Sequence, residues 1–213
     1  MLISAVALTI FAVIGTAIVS STDWLTRDRI KANEIAARLK QINEIMPRQL
    51  YDNDLLHDTL TLPAGAITDR YPTTVYRARL AGKSVAVIMQ TTAPSGYSGP
   101  IKLLVGILSD GTLNGVRVLK HKETPGLGDK IELRKDKWIL SFNGKSLHNP
   151  EKDLWKVKKD GGAFDQFTGA TISPRAVTQA VRDSLIYFEA HRQALFDLTP
   201  LPVSTIEVQE TKQ

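Results

Sequence analysis

The chain has 213 residues, 43% of them hydrophobic, 23% charged and 7% aromatic, which is enough apolar material for a folded core. It contains no cysteine, which excludes disulfides, iron–sulfur clusters, thiolate zinc sites, c-type haem attachment and a cysteine nucleophile. The net charge of +5 comes from 27 basic residues diluted among 22 acidic ones, a mixed surface that gives no reason to expect a nucleic-acid partner.

Residues 1–22 carry no ionisable side chain and are apolar through most of their length. At about 1.5 Å per residue, a helix of this length crosses the roughly 30 Å hydrocarbon core of a bilayer. No basic residue precedes Leu2 and the apolar run exceeds that of a secretory signal, so the segment is expected to be an uncleaved transmembrane anchor. Arg27, Arg29 and Lys31 follow it, and the positive-inside rule taken alone puts the rest of the chain in the cytoplasm. Over residues 23–47, Trp24, Leu25, Ile30, Ile35, Ala36, Leu39, Ile42 and Ile45 recur at helical spacing, which predicts an amphipathic stalk helix ending at Pro47.

A globular domain is expected over residues 48–199, followed by a peripheral tail over 200–213. Residues 48–73 carry Pro63, Gly65 and Pro72 and read as loop with short pieces of structure. From Thr74 the apolar period becomes two. Val75–Leu80 and Ser84–Met89 flank an Ala81-Gly82 turn, and Leu103–Leu108 and Leu113–Lys120 flank Asp110-Gly111, two hairpins of a small antiparallel sheet. Residues 131–142 read as helical or mixed, and Leu154–Lys158 as a strand entering a Lys159–Gly162 turn. From Pro174 a helix is expected, with Ala176, Val177, Ala180, Val181, Leu185 and Phe188 on one face. The fold class is therefore α+β: a membrane helix and stalk, then a domain with a small antiparallel sheet and flanking helices.

Two loops concentrate glycine, proline and hydroxyl groups: Pro94-Ser95-Gly96-Tyr97-Ser98-Gly99-Pro100 and Glu123-Thr124-Pro125-Gly126-Leu127-Gly128-Asp129. On the residues alone, ordinary turn chemistry is the plainer account of both, with a binding role as the alternative. The stretch Asp165-Gln166-Phe167-Thr168-Gly169-Ala170-Thr171-Ile172-Ser173-Pro174 opens the last helix. Ser173 is expected as its N-cap and Pro174 as its first helical residue, which leaves Thr171 just outside a helix N-terminus. Unpaired N–H groups and the positive end of the helix dipole favour an anion there. An ordinary capped helix is the alternative.

His57, His121, His148 and His191 are scattered without metal-ligand spacing, so no metal centre is expected. Gly126-x-Gly128 lacks the third glycine of a dinucleotide fingerprint, and no Gly-x-Ser-x-Gly elbow is present, so no catalytic residue is assigned.

Asp165-x-x-Thr168-Gly169-Ala170-Thr171 resembles the flavinylation signature of the FMN-binding domain family, at every constrained position. The membrane span, the stalk, the Gly96–Ile101 loop and the His121-x-Glu123-Thr124-Pro125-Gly126-Leu127-Gly128 loop are similar to the G subunits of Rnf (Rsx) electron-transport complexes, so the resemblance covers nearly the whole chain. It implies FMN held covalently through a phosphoester to Thr171, with Thr168, Gly169 and Ala170 shaping the phosphate pocket. It also implies that Tyr97, Thr124, Leu127 and Gly128 lie against the flavin, with Lys158 a weaker candidate, and that Asp165 is read by a maturing flavin transferase that uses FAD and magnesium. The implied role is electron relay, with no turnover alone, in a complex coupling ferredoxin/NAD redox chemistry to Na⁺ or H⁺ movement. Its partners are then the other subunits and the bilayer. The implied place is a single pass in the bacterial inner membrane with the flavin domain on the periplasmic side, opposite to the literal charge count. Two alternatives stand beside this: a C-type subunit of a Na⁺-pumping NADH:quinone reductase, and a tethered structural module without flavin.

Overall fold

The computed structural model describes residues 2–197; the tail expected over 200–213 lies outside the described residues. The chain divides into two compact units, Met1–Gln41 and Ile42–Gln213.

The first unit is helical, the greater part of a 44-residue helix α1 (Leu2–Ile45). Within it Leu8–Arg27 is long and apolar enough to cross a membrane, and Leu8, Phe11, Val13, Ile18 and Val19 are exposed. The Thr16 and Thr22 hydroxyls donate to the carbonyls of Ala12 and Ile18, each at 2.8 Å, which satisfies them inside the helix as an apolar medium requires.

The second unit is built on five antiparallel strands in the order β1-β2-β3-β4-β5: β1 (Thr59–Leu62), β2 (Thr73–Leu80), β3 (Lys83–Ala93), β4 (Ile101–Leu108) and β5 (Leu113–Lys120). The hairpins expected at Ala81-Gly82 and Asp110-Gly111 are both present. Ala81 and Gly82 have φ of 49° and 75°, the doubly left-handed turn that suits the strand twist, and β1 adds a short edge strand inside the stretch read as loop. Leu113 N–H donates to the Lys145 carbonyl at 2.7 Å and Gly144 N–H to the Leu113 carbonyl at 2.8 Å, so the start of β5 is paired on its outer side.

Both faces of the sheet are covered. One face contributes Val75, Val87, Met89, Leu103, Val105 and Val116 to a core with α2 (Ile172–Phe196) and the aromatic residues of 138–167. The other places Tyr76, Ala78, Ala86, Ile88 and Leu104 against Ile42, Ile45, Met46, Tyr51 and Leu55. Burial on two faces explains why β4 reads Ile-Lys-Leu-Leu-Val-Gly-Ile-Leu rather than alternating cleanly.

Two expectations change between β5 and α2. The predicted strand at Leu154–Lys158 is absent; two short 3₁₀ turns, Lys152–Leu154 and Lys158–Asp160, take its place, with only an isolated bridge from Val157 to Phe164. The mixed segment contains the 3₁₀ stretches Gly128–Ile131 and Lys137–Phe142. What organises this region is an aromatic cluster rather than backbone pairing: Phe142 and Phe164 stack with centroids 4.7 Å apart, and Trp138 meets Phe167 edge-on at 5.3 Å.

Helix α2 lies across β3 and β4 with Val177, Val181 and Leu185 in the core. Its last carbonyls are taken by β2. Arg79 donates to the Phe196 carbonyl at 3.1 Å and Arg77 to that of Asp197 at 2.7 Å, while the Asp58 carboxylate accepts from both guanidinium groups.

Candidate functional site

Strand direction alternates in an antiparallel sheet, so the segments that follow β3 and β5 emerge at the same end. Residues 94–100 and 121–128 are those segments, and the turn entering α2 joins them. Together they enclose a cavity of about 550 Å³, within the usual range for a small-molecule site.

The turn comes first. The Ala170 N–H donates to the Phe167 carbonyl at 3.1 Å, with Gly169 at φ +78° between them. Phe167 is buried against Trp138, and the Trp138 indole N–H donates to the Asp165 carbonyl at 2.7 Å, so the aromatic cluster holds the turn at both ends. Gly169, Ala170 and Thr171 line the cavity; Thr168 is exposed and outside the lining.

Helix α2 begins earlier than expected. Thr171, not Ser173, is the N-cap, and its side chain makes no capping hydrogen bond. Arg175 N–H donates to the Thr171 carbonyl at 3.2 Å, the first bond of the helix, so the N–H groups of Ile172 and Ser173 have no intrahelical acceptor. Pro174 has no N–H to satisfy and sits in the first turn without cost. Ser173 lies inside the helix because its hydroxyl is engaged elsewhere, donating to the buried carboxylate of Glu123.

Of the loop residues expected here, Tyr97, Thr124, Leu127 and Gly128 all line the cavity. The Thr124 carbonyl accepts from the N–H groups of Leu127 and Gly128 at 3.2 and 3.1 Å, which curls the second loop and turns Leu127 outward. Tyr97, Leu127 and Ile172 are large exposed side chains, apolar or aromatic, around the opening.

The lysine at the cavity is Lys159, whereas Lys158 is held by Asp165 at 2.6 Å and lies outside the lining. The Lys159 N–H donates to Gln166 Oε1 at 3.1 Å, and the next residue, Asp160, takes a bidentate bond from Arg175 at 2.6 and 2.8 Å. Arg175 belongs to the first turn of α2, so this clamp ties Lys159 to the helix end. Its hydrogen bonds hold the Asp160 carboxyl below the usual range and raise the Arg175 guanidinium above its own.

Four lining residues are not among the contacts expected from the sequence: Glu123, Lys159, Ile172 and Ser173, the last expected only as a helix cap. Glu123 is visible there only as part of its loop. Behind it, His121 Nδ1 accepts the Glu123 N–H at 2.9 Å while Nε2 faces Glu132 at 2.6 Å. Burial pushes the Glu132 carboxyl up, and the hydrogen bonds from His121 and Arg134 more than reverse this, leaving it below the ordinary carboxylate range.

Chemically, the cavity combines an anion-accepting helix N-terminus, a cation beside it, and exposed apolar side chains at the mouth. Residues 96–186 match the FMN-binding domain family, and residues 1–45 match the RnfG N-terminal region. The G subunit of the ion-translocating oxidoreductase complex of Pseudoalteromonas atlantica is 45% identical over 190 residues, 89% of this chain and 88% of that protein. The corresponding protein of Vibrio atlanticus is 46% identical over 188 residues (88% and 90%), and that of Pseudomonas aeruginosa 47% over 196 residues (92% of each).

The residues present fit an FMN. Its phosphate suits the N–H groups of Ile172 and Ser173 with Lys159 alongside, and its flat, largely apolar ring suits Leu127, Ile172 and Tyr97. Covering about nine-tenths of these relatives at 45–47% identity, the chain belongs to the family of G subunits of ion-translocating oxidoreductase complexes.

Proposed function

We propose that this protein is a membrane-anchored electron relay whose FMN is joined to Thr171 through a phosphoester bond. The observation that carries the proposal is the Thr171 side chain, which stands at the N-terminus of α2, lines the cavity and makes no capping hydrogen bond. In maturation a flavin transferase uses FAD and magnesium: the Thr171 Oγ–phosphorus bond forms, the pyrophosphate bond breaks, and AMP leaves as the hydroxyl proton is released. Asp165 and Thr168, both exposed and outside the cavity lining, belong to the surface that the transferase reads.

When bound, the flavin supplies one- and two-electron transfer that this cysteine-free chain cannot supply itself. The chain binds and orients. The Ile172 and Ser173 N–H groups would donate to the phosphate, Lys159 would balance its charge, and Gly169 and Ala170 keep the approach open. Leu127, Tyr97 and Thr124 would lie at the ring end, and Gly128 lets the second loop pack closely on Ser173 and Glu123. The apolar helix keeps the domain at the bilayer, on the periplasmic side of the bacterial inner membrane. The complex couples electron transfer between ferredoxin and NAD to Na⁺ or H⁺ movement, and neighbouring subunits provide this one's electron donor and acceptor.

Peptide mass spectrometry on protein co-expressed with a flavin transferase tests this. The fragment containing Thr171 is expected to carry the mass of FMN, and the denatured band to fluoresce. An unmodified, colourless protein, with the transferase active on a control, would overturn the proposal.

A further inference from the structure

The three segments that build the cavity converge on one carboxylate. Glu123 is 4% exposed, and both of its oxygens act as acceptors: Oε1 from the Ser98 N–H at 3.0 Å and Oε2 from the Ser173 hydroxyl. Ser98 belongs to the first loop, Glu123 to the second and Ser173 to the first turn of α2. The backbone beneath it is fixed as well, because its own N–H is held by His121.

Two glycines make room for this carboxylate. A Cβ at Gly96 would stand 2.9 Å from Glu123 Oε1, and one at Gly128 would stand 2.9 Å from Oε2 and 2.6 Å from Ser173 Oγ. Gly128 is thus explained by close approach to Glu123 and Ser173, and Gly96 by Glu123 together with the Gly99 carbonyl, which an added Cβ would overlap. Its hydrogen-bond partners, a backbone N–H and a hydroxyl, are neutral. The carboxylate thus brings a negative charge into the cavity wall, opposite in sign to Lys159 in the same lining.

We propose that Glu123 is a positioning residue that sets the reduction potential of the site: its carboxylate, fixed where both loops meet α2, makes the bound flavin harder to reduce. Reduction adds electrons to the ring, and a fixed negative charge in a partly enclosed wall opposes that addition more than the same charge in water. The inference rests on the FMN proposal above and deepens it.

The test uses full-length protein, co-expressed with a flavin transferase and purified in detergent, with loading checked by mass before a spectroelectrochemical titration at pH 8. Glu123→Gln keeps the shape, since the amide oxygen accepts from Ser98 and the amide nitrogen donates to Ser173, but removes the charge. Its midpoint is expected to move to more positive potential. Ser173→Ala keeps the charge and removes a donor that tempers it, so its midpoint is expected to move to more negative potential.

Shifts of opposite sign are a signature that a purely structural strut does not produce. An unshifted Glu123→Gln midpoint, or both variants moving the same way, overturns the inference. Should Glu123→Gln fail to fold by circular dichroism, Ser173→Ala decides, and a midpoint equal to or above the wild type overturns it. A wild-type protein without flavin sinks both proposals, whereas loaded proteins with equal midpoints sink only this one.

Discussion

At the C-terminal end of α2 side chains from β2 take the last carbonyls, whereas at the N-terminal end the first N–H groups are left to a cavity. Arg77 and Arg79 reach from β2 to the carbonyls of Asp197 and Phe196, and Asp58 locks both guanidinium groups in place. At the other end the Ile172 and Ser173 N–H groups face a cavity, and the N-cap hydroxyl stays out of the capping role. Helix N- and C-termini carry opposite partial charges, so the contrast separates two uses of the same physics. A helix end closed by buried side chains holds the fold together; one surrounded by loops and left open is where a ligand's charge belongs.

The largest effect concerns Thr171→Ala, which is expected to abolish covalent flavin entirely. Because Thr171 makes no capping bond, the ~1 kcal/mol usually lost with a cap is not expected, and denaturant unfolding of the unloaded proteins should agree to within about 0.5 kcal/mol. A variant that stays yellow after denaturation would remove Thr171 from its role.

The closed end should behave in the opposite way. The side chains of Asp58, Arg77 and Arg79 are 17%, 12% and 15% exposed, so Asp58→Ala strands two largely buried cations. A loss of roughly 3 kcal/mol in unfolding free energy is expected, with flavin still attached at permissive temperature. A loss below about 1 kcal/mol would mean that this end is not closed as described.

Lys159→Ala is expected to weaken binding of free FMN to the unloaded protein by about 1 kcal/mol, roughly fivefold in Kd, and the difference should shrink with added salt. Lys158→Ala should leave binding unchanged, because Asp165 engages that lysine. Equal losses in the two variants would dissolve the distinction between them.

The smallest effect lies in the clamp beside Lys159. Arg175 holds Asp160 below the 3.8 of a free aspartate. A depressed carboxylate pKa stabilises the fold above the unfolded value, and the contribution is lost as pH falls through the folded one. NMR titration of the Asp160 carboxyl should therefore give a midpoint under 3.8, and Arg175→Gln should return it towards that value. No change on substitution would break the link between this turn and the helix end.

Much of the site is legible in the sequence because local chemistry carries it. Thr171, Gly169 and the two glycine loops sit in contiguous motifs, and the apolar face of α2 repeats at helical spacing. The cap is misassigned to Ser173 because two hydroxyls stand two residues apart before a proline that is tolerated anywhere in the first turn. What decides between them is Glu123, fifty residues away in sequence. Lys159 and Lys158 are likewise told apart only by Asp165 across a turn. In the fold, β1 has four residues with little pattern to detect, and residues 152–160 are shaped by the burial of Trp155 and Phe164, which leaves no backbone period.

The margins of the sheet bear on assembly. A strand edge with free N–H and carbonyl groups invites a neighbouring chain to extend the sheet. Here one margin is the four-residue β1, and the other is engaged at Leu113 by residues 144–145 of the same chain. The first margin is short, and the second is closed at its start. A substitution that breaks the Leu113 pairing would therefore lengthen the open edge of β5, and its cost would show as self-association before it showed in the cavity.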